Sequence, residues 1–173
     1  TPPQPASSSA STNSAAPPSP SPPSTSSPSP PDPHTNNIYT TMDKATIIDL
    51  PKFLDSRGNL SFVEQLKHIP FEIKRTYWIY DVPGGESRGG HAYRQNQEFI
   101  VALSGAFDVT LNDGQQTTTF TLNRSYYGLY VPKGYWRQMS NFSTNSLALI
   151  LASTPYDIND YETDYDSFIN SHP

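Results

Sequence analysis

The chain has 173 residues, 18 prolines, no cysteine and a net charge of −5 from 11 basic and 16 acidic side chains. No run of eighteen apolar residues exists to span a membrane, and the lack of cysteine excludes a disulfide framework, a thiolate metal site and a cysteine nucleophile. Residues 37–155 carry 10 acids against 11 bases with no basic stripe, which argues against nucleic acid as a partner.

Residues 1–36 hold 12 of the prolines together with 11 serines. Such a stretch buries too little apolar surface to offset the entropy of ordering its backbone. It has no apolar central region, so it does not read as a signal peptide. We therefore expect a disordered Pro/Ser-rich segment over residues 1–41, either a fusion leader ahead of a start at Met42 or an interdomain linker, and one compact domain over residues 42–173. The expected location is the cytoplasm.

From residue 46 onward the pattern is strand after strand. Residues 46–50 and 60–64 are short candidates, and residues 73–82 (IKRTYWIYDV) are rich in β-branched and aromatic side chains. Residues 98–104 and 106–111 flank Gly105. Asn112-Asp113-Gly114 predicts a tight primed hairpin turn answered by residues 117–122. Residues 126–131, 135–139 and 147–153 complete the set. Short strands at this spacing predict a sandwich or barrel. Only the end reads as helical. Asp157 or Asn159 is placed to cap a helix through about residue 170, with Tyr161, Tyr165, Phe168 and Ile169 on one face.

The most informative stretch runs from Gly85 through His91, Tyr93 and Glu98 to Gly105. Gly85 is followed by five residues and then His91; Glu98 follows Tyr93 after four, and Gly105 follows Glu98 after six. Further on stands Pro132-x-Gly134-x2-Arg137-x3-Asn141. The two spacings, in this order, resemble the two motifs of the cupin superfamily. The resemblance implies an all-β fold, the cupin double-stranded β-helix or jelly-roll barrel, with a short C-terminal helix after it. Metal-holding cupins use two histidines and a glutamate from the first motif and a histidine from the second. Here Tyr93 and Arg137 occupy two of those four positions. A permanent guanidinium cation repels a divalent metal, and His34, His68 and His172 lie outside the motifs, so we expect neither metal nor cofactor.

The wording resembles more narrowly the sugar 3,4-ketoisomerases that act on thymidine-diphosphate-linked 4-keto-6-deoxyhexoses, the WxcM-like C-terminal domains. The text that carries it is Asp55-Ser56-Arg57-Gly58-Asn59-Leu60, Ile73-Lys74-Arg75-Thr76-Tyr77-Trp78-Ile79-Tyr80, Arg88-Gly89-Gly90-His91-Ala92, Gly128-Leu129-Tyr130-Val131 and Leu151-Ala152-Ser153-Thr154-Pro155-Tyr156-Asp157. The resemblance implies a metal-independent isomerase of deoxysugar biosynthesis, working as a homodimer on a thymidine-diphosphate keto-deoxysugar. The family's R-G-x-H-A-H run stands here as R-G-G-H-A-Y, so His91 matches its first histidine and Tyr93 replaces its second.

Moving a ketone from C4 to C3 requires a base for the C3 proton, an acid, and charge to stabilise an enediol or enediolate. Imidazole titrates near neutrality and suits the base. His91 is therefore expected to be the base at an ordinary pKa, Tyr93 to be the donor or relay on the same strand face, and Arg88 to stabilise negative charge. Arg57, Arg75, Tyr80, Arg94, Glu98, Tyr130 and Arg137 are expected to bind substrate. Two other readings stay open: an epimerase of cupin type on the same substrate class, and a non-catalytic cupin that binds sugar nucleotides or carbohydrate.

Overall fold

The computed structural model describes residues 42–171; the expectations for the Pro/Ser-rich segment lie outside them. Ten strands are present: β1 (Thr46–Asp49), β2 (Arg75–Ile79), β3 (Arg88–Tyr93), β4 (Glu98–Ser104), β5 (Phe107–Asn112), β6 (Thr117–Leu122), β7 (Tyr127–Val131), β8 (Trp136–Ser140), β9 (Leu147–Ala152) and β10 (Tyr161–Glu162). A 3-10 turn at Ile158–Asp160 precedes β10, and one helix, α1 (Tyr165–Asn170), follows it. The strands form two antiparallel sheets, ordered β1-β7-β4-β9-β2 and β10-β3-β8-β5-β6. This is the expected jelly roll, closed by side chains between the two sheets.

The inward-facing residues explain why these segments pair. Ile100, Ala102, Leu129, Val131, Ala148 and Ile150 of the first sheet meet Phe107, Val109, Leu111, Leu122 and Met139 of the second in one buried cluster. Each fully buried side chain of this kind stabilises by roughly 1.5–3 kcal/mol before entropy is counted. A second cluster lies on the outer face of the first sheet, where Phe99, Val101, Tyr130 and Leu151 are covered by Leu50, Ile69 and Phe71. Gly105 links β4 to β5 at φ +66; a Cβ there would stand 2.5 Å from Ser143 Oγ and 2.8 Å from Ser146 Cα, so the backbone needs a residue without one.

Three expectations are corrected. Residues 60–64 form no strand; only isolated bridges join Phe53 to Leu60 and Gln65 to Ile69. Alternating hydrophobicity there serves a covering loop, with Val63 packed on the outer cluster. Residues 113–116 form a longer loop than the primed turn, because Asp113 accepts from the backbone N–H groups of Gln115 and Gln116 and, of the four, only Gly114 has positive φ. Residues 88–93 form β3, the strand whose face His91 and Tyr93 were expected to share, despite the weak local propensity of Gly89-Gly90. Finally, no helix starts at Asp157 or Asn159. Asp157 caps only the 3-10 turn, β10 intervenes, and Asp164 caps α1 by accepting from Ser167 N at 2.6 Å.

Candidate active site

β3, β4 and β8 bring the motif residues together at one end of the barrel interior. Two-residue periodicity puts His91 and Tyr93 on the same, inward face of β3. A register shift between Gly89 and His91 adds one residue to that strand, so Arg88, which pairs with Met139, shares the inward side with His91, which pairs with Arg137. The bulge needs Gly89: its φ is +92, and a Cβ would meet the Arg137 carbonyl oxygen at 2.6 Å. The turn before β8 is tied to the same place, since Gly134 N donates to Tyr93 O at 2.8 Å.

Glu98 and Arg137 form the floor. Both are buried, at 1% and 3% exposure, with Arg137 Nε 3.0 Å from Glu98 Oε2. Arg137 Nη1 contacts Met139 Sδ at 2.8 Å and its Nη2 lies 3.2 Å from His91 Nε2. Tyr77 of β2 donates to Glu98 Oε1 at 2.5 Å. Burial opposes the arginine charge, but Glu98 together with the phenols of Tyr77 and Tyr93 outweighs it, and the Arg137 pKa ends above its ordinary value. The position that holds a metal-ligating histidine in other cupins is thus filled by a cation already neutralised by the motif glutamate. Among the described residues, no cluster of three His, Cys, Asp or Glu side chains gathers.

Above this floor stand three rings. His91, Tyr93 and Tyr161 contact one another with centroids 4.9, 4.9 and 4.7 Å apart, and the Tyr93 hydroxyl donates to the Tyr161 hydroxyl at 3.2 Å. Burial, and secondarily the Arg137 charge, lowers the His91 pKa to about 4, against a smaller opposing effect of a hydrogen bond with the Gly89 backbone. The expectation of an unshifted imidazole is therefore corrected: the adjacent guanidinium disfavours a second positive charge. Burial, the Glu98 charge and the Tyr77 phenol, with the Tyr161 hydrogen bond, push the Tyr93 phenol well above its usual pKa. Burial does the same to Tyr77. The site at neutral pH thus holds a neutral acceptor imidazole beside phenols that keep their protons.

The other candidates separate. Arg75 starts edge strand β2 on the same inward face as Tyr77; its guanidinium lies over the rings of Tyr77 and Tyr156, at 5.3 and 5.6 Å, and its buried Nε has no hydrogen-bond partner. The nearby carboxylate of Glu72 pairs with Lys74. Arg88 is exposed at the head of β3. Arg94 is turned to the chain itself: it donates to the carbonyls of Asn159 and Tyr161 and pairs with Glu162. Arg57 sits exposed in a turn, bound to Asp55. Tyr130 faces the outer cluster, its ring 6.3 Å from Phe71 and its hydroxyl donating to Gln97 Oε1. Tyr80 is exposed beyond β2. Tyr77 and Tyr161 were not singled out by motif; the inward period of β2 points to the first, and no local pattern points to the second.

The family described as FdtA: WxcM-like, C-terminal matches residues 43–172. The chain belongs to that family. A TDP-4-oxo-6-deoxy-alpha-D-glucose-3,4-oxoisomerase of Aneurinibacillus thermoaerophilus is 42% identical over 122 residues, covering 70% of this chain and 88% of the relative. Among solved structures, a 3,4-ketoisomerase from Helicobacter canadensis is 40% identical with a TM-score of 0.71, covering 73% of this chain and 96% of that one. A sugar 3,4-ketoisomerase from Thermoanaerobacterium thermosaccharolyticum in complex with TDP is 30% identical with a TM-score of 0.73, covering 76% and 96%. The family and the jelly-roll fold expected from the two motifs are thereby established.

Proposed function

We propose that the protein is a sugar-nucleotide 3,4-ketoisomerase that converts a thymidine-diphosphate 4-keto-6-deoxyhexose to its 3-keto isomer. The observation that carries this reading is the neutral His91 imidazole held against Tyr93 over the buried Arg137–Glu98 pair. It is supported by the 42% identical oxoisomerase and by the TDP bound in a structural relative.

His91 Nε2 exchanges its long contact to Arg137 for the C3 proton as the C3–H bond breaks. Tyr93 gives its proton to O4 as the C4 carbonyl becomes an enol. The intermediate is an enediol whose charge, while it develops, faces the Arg137 guanidinium, a preorganised and already desolvated cation. The imidazolium beside Arg137 is a strong acid, so it readily returns its proton, now to C4, while O3 gives its own to the phenolate left by the first step and the C3 carbonyl forms. Arg75 and Arg88 at the open end supply cations for the diphosphate, Arg75 with a donor that has no other partner.

The working unit is proposed to be a homodimer. Trp78 on edge strand β2, Tyr80 just beyond it and Leu103 of β4 are exposed at 59%, 60% and 45%. Exposed large apolar side chains together with an unpaired strand edge are what a second copy covers.

Incubation with TDP-4-keto-6-deoxyglucose in deuterated water tests the activity. A 3-keto product carrying deuterium at C4 is expected. Exchange with the ketone still at C4, or binding of TDP without exchange, would replace this reading by epimerase or binder.

A further inference from the structure

The isomerisation just described moves two kinds of proton. One leaves C3 and arrives at C4; another leaves O3 and arrives at O4. His91 is a single base with a single free lone pair, and it is engaged with the carbon-bound proton while the oxygens change theirs. A donor for O4 in the first step and an acceptor for O3 in the second are needed, a short distance apart.

We propose that Tyr161 is a catalytic residue, the second phenol of a two-hydroxyl shuttle in which Tyr93 serves O4 and Tyr161 serves O3. The proposal rests on the isomerase reading above. The two hydroxyls stand 3.2 Å apart, longer than an ordinary hydroxyl–hydroxyl bond of roughly 2.7–2.8 Å. That is a loose pair, suited to opening around two neighbouring sugar oxygens. Both rings touch His91, so both hydroxyls belong to the same reacting centre. As O4 takes the Tyr93 proton, Tyr161 passes its own proton to Tyr93 across the pair, and the Tyr161 phenolate then accepts the O3 proton as the C3 carbonyl forms. Bonds balance: C3–H and O3–H break, C4–H and O4–H form, and both phenols finish protonated.

The chain holds Tyr161 in place by means that serve no evident core role. β10 has only two residues, and Tyr161 pairs directly with Tyr93 across it. Asp160, the residue before, accepts from the backbone N–H groups of Gln95 and Asn96 at 2.7 and 3.0 Å. Arg94, the residue after Tyr93, donates to Tyr161 O at 2.6 Å and to Asn159 O at 3.1 Å, and grips Glu162 Oε2 at 2.6 Å. Strand β3 thus carries one phenol and, one residue on, the clamp that holds the other. Arg94 is a positioning residue of this site.

The test is Tyr161→Phe, which keeps the ring and removes the hydroxyl. In deuterated water with TDP-4-keto-6-deoxyglucose, proton NMR follows C3 exchange and 3-keto product separately. The expected result is product formation lowered about a hundredfold, the scale of a lost general acid–base group, with C3 exchange within about threefold of the parent and KM unchanged. Arg94→Ala lowers the same product-to-exchange ratio, and its loss does not add to that of Tyr161→Phe in the double variant. An active parent with an equally active Tyr161→Phe variant overturns the assignment alone, as does a variant in which exchange and product fall together in one proportion. A parent that exchanges nothing overturns the isomerase reading and the shuttle with it.

Discussion

Glu98→Gln isolates the charge of the floor without changing its shape. The amide keeps an oxygen for the Tyr77 hydroxyl but leaves the Arg137 guanidinium, 3% exposed, without its counter-ion. At the 3.0 Å separation of this pair, an effective dielectric constant of about 20 gives an attraction of roughly 5 kcal/mol. Water cannot replace the lost partner at that depth, and breaking a buried pair on one side costs about 3–5 kcal/mol. For a domain of this size that is a fall in melting temperature of roughly 10–15 °C. Urea unfolding followed by circular dichroism measures it. Arg137→Met removes the other half, and the double variant Glu98→Gln/Arg137→Met is expected to lose clearly less than the sum of the singles, because no orphaned charge remains. A Glu98→Gln variant within about 1 kcal/mol of the parent would refute the view that this pair is a desolvated unit and not a solvated contact.

Three other outcomes follow from the geometry. The His91 pKa of about 4 lies below its unfolded value of about 6.5, so the unfolded chain binds a proton that the folded site refuses; stability is full above pH 6.5 and falls by at most about 3 kcal/mol between there and pH 4. In the same profile the acid limb of kcat/KM, which reports the free enzyme, is expected below pH 5, and a limb at 6.5 or above would show that His91 is not the base held beside Arg137. Gly89→Ala places a Cβ 2.6 Å from the Arg137 carbonyl at φ +92 and should cost roughly 2–4 kcal/mol in thermal melts, whereas Gly90→Ala, with nothing within 4 Å of its Cβ, pays only the left-handed backbone term of roughly 1–2 kcal/mol. Sedimentation at micromolar concentration should show a dimer for the parent and a monomer for Trp78→Glu; a monomeric parent would remove the proposed use of the exposed face.

The strands with strong β-branched and aromatic content were legible from their letters, because burial between two sheets demands that content. So were the two motifs, whose glycines mark backbone the fold requires in a left-handed form. The strand over residues 88–93 was not legible from local propensity, since two glycines erase it, while the bulge they permit places Arg88, His91 and Tyr93 on one face. The C-terminal segment read as one amphipathic helix capped at Asp157 or Asn159, with Asp160 inside it. The Asp160 carboxylate is instead claimed by the N–H groups of residues 95 and 96, contacts more than sixty positions distant that no local pattern contains.

By itself, the amino-acid sequence determined the family, the all-β class and the identity of His91, Tyr93, Glu98 and Arg137 as neighbours in a site, because fixed spacings along strands and turns carry that information locally. Only the tertiary structure decided their chemistry. The pairing of β3 with β8 sets a guanidinium against the imidazole and lowers its basicity; the pairing of β10 with β3 sets a second phenol beside the first; and the sheet separates Tyr130 from both. Protonation states depend on burial and on charges across the barrel, and those exist only once distant strands have met.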